Sequence, residues 1–135
     1  MIALGLHFEV DIMTITQTII TSLLAAFFLF ASSIKIFGWQ KMIFTTQLTF
    51  FVKYGLNRQW MFVVGVLEFV SAVMIITPLL AGASIATTIA LIGAALLAAV
   101  SMGAMACHLW FDTWRDGVPA MVTFALSVAL VLYGV

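Results

Sequence analysis

"GVLEFVSAVMIITPLL", residues 65–80, decides the fold, because it sets one carboxylate, Glu68, inside an apolar run that extends over 60–80. A run of that length matches the roughly 20 mostly apolar residues that cross a hydrocarbon core about 30 Å thick. A charge in the middle of such a span costs about 3 kcal/mol even on the mildest scale, so Glu68 requires a partner or a task.

Three further runs have the same character: 14–37, 83–111 and 118–135. Backbone groups in lipid must be satisfied within the chain, which makes these runs helices. They are too long and too weakly alternating for barrel strands. A chain that is 65% hydrophobic and 7% charged is read as membrane-embedded rather than water-soluble. The expected fold is therefore all-α, an integral membrane four-helix bundle forming a single membrane domain over 1–135. The net charge of zero singles out no charged partner. The partners to expect are the lipid bilayer and either a membrane-protein partner or a second copy, with no nucleic acid.

The breaks between runs carry their own signals. "TPLLAGA" (77–83) combines Pro78 with Gly82, which favours a very short turn and an antiparallel hairpin of the second and third helices. "DTWRDGVP" (112–119) is a second tight link, with Asp116 placed to cap the last helix and Pro119 in its first turn. The longest link, 38–59, holds Lys41, Lys53 and Arg58 beside Trp39, Phe50, Phe51 and Tyr54. A segment with one charged and one aromatic side suits a short helix lying on the membrane surface.

All five cations, Lys35, Lys41, Lys53, Arg58 and Arg115, fall on the side where the first helix ends, the second begins and the third ends. The opposite side offers only Glu9 and Asp11. By the positive-inside rule, both termini lie outside the cytoplasm, in what reads as a bacterial inner membrane. A cleaved signal is not expected, since no basic residue precedes the first run and that run is long for a signal core. Trp39, Trp60, Trp110 and Trp114 gather on the cationic side as an aromatic belt.

Cys107 is the single cysteine, so an internal disulfide or a CxxC redox pair is excluded. It reads as a small buried apolar residue. Around it, Ala86, Ala90, Ala94 and Ala98 recur every fourth position, and Ala95, Ala99, Gly103 and Cys107 form a second row. Small residues at this spacing let membrane helices approach closely, which puts this helix at the bundle centre. Tight intramolecular packing on both rows is the favoured reading, and a dimer interface through one row the alternative.

The ionisable residues form one depth band. Lys35 lies near the end of the first helix, Glu68 roughly 12 Å along the second from Trp60, and His108 near the end of the third with Asp112 four residues on. Small or hydroxyl neighbours on their faces, such as Gly65, Ala72, Ser32 and Ser101, point these side chains into the bundle. A Lys35–Glu68 ion pair is within reach of the lysine stem. The polar cluster is thus Lys35, Glu68, His108 and Asp112. It reads equally as a ligand site or as a structural ion pair that fixes packing. Lys35 and Arg115 also suit snorkelling to the interface. His108, Asp112 and Glu68 are too loose a set for a metal centre, and no metal is expected.

"FASSIKIFGW", "GVLEFVSAVMIITPLLAGA" and "GAMACHLWFD", taken in order, resemble the DoxX-like four-helix membrane proteins, over roughly 14–135. In that family a lysine near the end of the first helix, a Gly-x-x-Glu segment in the second and a histidine near the end of the third recur, matching Lys35, Gly65 with Glu68, and His108. The resemblance implies membrane redox complexes, a subunit associated with thiosulfate:quinone oxidoreductase, or assembly of other membrane proteins. No haem-ligand pair, flavin loop or cysteine pair accompanies it here, so no autonomous catalytic motif is read.

Three functions fit these residues. In the first, a small-molecule-binding or redox-accessory subunit uses the cluster to hold a quinone-like head group, with His108 or a carboxyl as proton source. Quinone is the one cofactor this reading brings in. In the second, a structural or assembly protein uses the charges only to specify its fold. The third, a small transporter, fits least, because four short helices show no unwound segment.

Overall fold

The computed structural model describes the backbone of residues 2–81 and 84–133 and the side chains of 14–80 and 85–133. Within these residues all regular secondary structure is helical: α1 (Ile2–Phe37), α2 (Lys41–Lys53), α3 (Arg58–Ala81), α4 (Ser84–Phe111) and α5 (Val118–Tyr133). The count of four bundle helices becomes five, because the 38–59 link, expected to suit a short surface helix, forms one of 13 residues. Thr14–Phe37, Arg58–Leu80 and Ile85–Phe111 are long and apolar enough to cross a membrane, and Val118–Tyr133 is a shorter apolar helix. Only 28% of the apolar windows of α3 and α4 is buried in the chain, so most of their hydrophobic surface calls for lipid rather than water.

Several expectations change in detail. The membrane-length stretch 14–37 is the later part of a helix that begins at Ile2, since Glu9 and Asp11 interrupt hydropathy but not helix formation. The side chains of Glu9 and Asp11 lie outside the described residues, as do Gly82, Ala83 and the final two positions, 134 and 135. Pro78 sits inside α3 rather than in the turn, a placement that membrane helices tolerate. Asp116 does not cap α5; its Oδ2 accepts from Thr113 N (3.2 Å) and Thr113 Oγ1 (2.9 Å), closing the preceding turn instead.

Local chemistry fixes the corners. Gly38, at φ 67°, takes the left-handed conformation that ends α1, with its N–H donating to Ile34 O (2.8 Å). Gln40 caps α2 by accepting from Ile43 N (3.4 Å), and Asn57 caps α3 by accepting from Trp60 N (3.1 Å). Arg58 Nη2 then donates to Ile36 O (3.0 Å), tying the start of α3 to the end of α1.

The spanning helices pack in the order α1, α3, α4, α5, and α1 meets α5 only sparsely. Leu24, Phe28, Ala72, Ile75, Leu97 and Leu130 form the core between them. Close approach relies on small residues. A Cβ on Gly93 would stand 2.7 Å from Met74 Cβ and 2.9 Å from Ser71 O, so α4 can lie this near α3 only with glycine there. Ala86, Ala90 and Ala94 of the first small-residue row are buried as well, Ala94 in the core cluster with Ala72 and Ile75 of α3. The second row behaves differently: Ala95, Ala99 and Gly103 are exposed, and α4 reaches α5 through other residues. The C-terminal end of that row, Gly103 and Cys107, borders a cavity rather than a packed helix.

Candidate functional site

A cavity of about 460 Å³ opens between α1, α3, α4 and α5, with Gln47, Phe50 and Phe51 of α2 also lining it. Its walls are mostly apolar, including Phe27, Phe28 and Val100, and its polar groups come from all five helices. Lys35, Glu68 and His108 all border it, and Asp112 stands directly behind His108. The four expected residues are therefore brought to one region, as two separate groups.

The inner group is an ion pair. Lys35 Nζ donates to Glu68 Oε2 at 2.9 Å, and both side chains are buried. Among the described residues Lys35 alone bonds Glu68. Gly65, one turn before Glu68, makes the pair feasible. A Cβ there would lie 2.8 Å from Lys35 Cβ and 3.2 Å from Ile36 Cγ1, so α1 and α3 touch backbone to backbone beside the charges. Ser32 and Ser71, buried nearby, satisfy themselves on the Leu29 and Leu67 carbonyls of their own helices.

The outer group joins α2 to the end of α4. His108 Nδ1 lies 3.0 Å from Asp112 Oδ2 and 2.9 Å from Tyr54 Oη, while Tyr54 donates to Asp112 Oδ2 at 2.5 Å. Lys53 bonds the other carboxylate oxygen, Oδ1. Burial pushes the Asp112 carboxyl up, but the hydrogen bonds from Lys53, Tyr54 and His108 outweigh it and hold it down at about 2. Burial, followed by the hydrogen bond to Asp112 and then its charge, raises the Tyr54 phenol above its ordinary value, so it stays a neutral donor. Phe50 stacks edge-on against the His108 ring, with centroids 5.0 Å apart, and Gly117 lets the α5 link close over His108 Cβ.

Sequence reasoning missed Tyr54, which had counted only as one aromatic of the link, and Lys53, which had counted only as a cation. It also missed Gln47, whose buried Oε1 bonds to no described residue and which borders the cavity, and the buried Ser101–Thr123 hydroxyl pair at 2.8 Å. A phenol adjacent to a lysine at the end of an amphipathic segment was the available signal. Cys107 is half-buried on the cavity wall rather than sealed in the core. Trp39, Trp60, Trp110 and Trp114 are all exposed, as an interfacial belt requires. Among the described residues, no three or more His, Cys, Asp or Glu side chains gather closely enough to hold a metal ion.

Chemically, the arrangement offers an apolar chamber with an ammonium–carboxylate pair on one wall and an imidazole backed by a carboxylate on another. Comparison with curated proteins and with solved structures returns no match. The family model for the DoxX-like family matches residues 19–131, and with its long apolar helices the chain belongs to that family as an integral membrane protein.

Proposed function

We propose that this protein is a small-molecule-binding, redox-accessory subunit whose cavity takes the head group of a quinone-like lipophilic ligand. The observation that carries this reading is the chamber between α1 and α5, mostly apolar in its walls yet bordered by Lys35, Glu68 and His108. Such convergence of a few polar groups in an apolar pocket is how lipophilic ligands are oriented. The sparse α1–α5 contact gives the ligand a sideways route from the bilayer. The whole chain acts as one membrane domain in a bacterial inner membrane, with its cationic corners in the cytoplasm, both termini outside and a partner membrane protein as the redox centre.

A second reading has its own support. The Gly65 contact and the closed Lys35–Glu68 pair suit a charge pair retained to specify packing. Glu68→Gln separates the two. If the purified variant stays folded but no longer binds a short-chain quinone, the site reading holds; if stability falls while binding persists, the pair is architectural. Mass spectrometry of lipids that co-purify with the wild type identifies the ligand directly, and a terminal tag reactive from the cytoplasm would overturn the topology.

A further inference from the structure

The outer group fixes which ring nitrogen of His108 carries the proton. Nδ1, Tyr54 Oη and Asp112 Oδ2 stand within 3.0 Å of one another, and each of the two contacts to the carboxylate oxygen needs a hydrogen between its atoms. The carboxylate is an acceptor only, because its other oxygen is bonded by Lys53 and its pKa is held at about 2. The single phenol hydrogen is used at 2.5 Å on Oδ2. The hydrogen at Nδ1 must therefore belong to the imidazole, which leaves Nε2 of the neutral ring with a lone pair. Nε2 bonds to no described residue, and the ring borders the cavity with 16% of its side chain exposed. Gln47, whose buried Oε1 bonds to no described residue, borders the same cavity from α2.

We infer that the cavity selects a lipophilic ligand bearing a hydroxyl, such as a hydroquinone, whose O–H donates to His108 Nε2, in preference to the same skeleton lacking that hydrogen. Asp112 is a positioning residue: it acts through His108 by holding the tautomer. Lys53 and Tyr54 do the same one step further out. This inference rests on the proposed reading of the cavity as a ligand site.

The test uses the purified full chain in nanodiscs and three probes: decyl-hydroquinone, its bis-O-methyl ether and decyl-quinone. The hydroquinone should bind about tenfold more tightly than the ether, the value of one net hydrogen bond to a buried acceptor. His108→Phe, which keeps the ring packing, should erase that ratio, and Asp112→Asn should shrink it by freeing the tautomer. Nitrogen-15 spectra of the histidine-labelled wild type should show His108 Nε2 as the unprotonated nitrogen, a readout independent of whether any variant folds. Equal binding of hydroquinone and ether, or a proton on Nε2 in the neutral ring, overturns the inference and leaves the cavity reading standing. Failure of all three probes to bind overturns the cavity reading itself.

Discussion

Replacing Gly65 with alanine should push α1 and α3 apart at the charge pair. The added Cβ would stand 2.8 Å from Lys35 Cβ, 3.2 Å from Ile36 Cγ1 and 3.4 Å from Ser32 O. Carbon atoms rest at about 3.5–4.0 Å, so the closest contact needs roughly 0.7–1.2 Å of relief. Lys35 Cβ is fixed to its backbone, and no rotamer change moves it, so the helices themselves must part. Overpacking of this kind costs about 1–3 kcal/mol. At roughly 3 °C per kcal/mol, the melting temperature should fall by about 3–9 °C. The control is Gly103→Ala, where the new Cβ meets nothing within 4 Å and should change little. Thermal unfolding of both variants in one detergent, followed by tryptophan fluorescence, reads the difference. Equal melting temperatures for the two alanine variants would refute the reasoning, because then the α1–α3 contact is not set by the missing Cβ.

Lys35→Met and Glu68→Leu should each lower stability by roughly 3–5 kcal/mol by stranding a buried charge, and the double variant should recover most of it in a melting assay. Thr123→Val removes the partner 2.8 Å from buried Ser101 Oγ and should cost about 1–2 kcal/mol, visible as a lower melting temperature that adding Ser101→Ala partly restores. The Asp112 carboxyl is depressed on folding, so its contribution is complete above the ordinary value of 3.8 and disappears as pH falls through about 2. Hydrogen exchange of α2 should accordingly stay slow at pH 5 and accelerate between pH 4 and 2, while Asp112→Asn should show fast α2 exchange at every pH.

The spans were legible because hydropathy is a local property: the runs around 14–37, 60–80 and 83–111 contain their own evidence. The Lys35–Glu68 pair was legible for the related reason that an acid in an apolar run needs a cation, and Lys35 stood at a compatible depth. The His108–Asp112 contact followed from helical spacing alone. Tyr54 and Lys53 were not legible as site residues. Their position depends on Gly38 at φ 67°, Gln40 at φ 52° and Gly55 at φ 81°, three left-handed corners that set where α2 lies, and no periodicity encodes that. The second alanine row of α4 misled for a similar reason. Four-residue spacing identifies a surface capable of close packing, but which of two such surfaces is used depends on where α5 docks, and the Asp112–Gly117 turn decides that.

The division of the polar residues into two groups has a physical logic. The inner pair sits where water is scarce, so its charges neutralise one another and each helix satisfies its own hydroxyls, leaving α1 and α3 locked. The outer group sits where α4 leaves the spanning region, and its carboxylate takes hydrogen bonds from both Lys53 and Tyr54 of the α2 end. Helix α2 packs only lightly on α1 and α3, so those bonds to Asp112 hold its end across the cavity. One carboxylate thus anchors the cover of the chamber and fixes the tautomer of the imidazole beneath it. Holding the end of α2 and orienting the imidazole therefore draw on the same carboxylate, so under the proposed function a ligand in the cavity meets an acceptor that Asp112, Lys53 and Tyr54 set together.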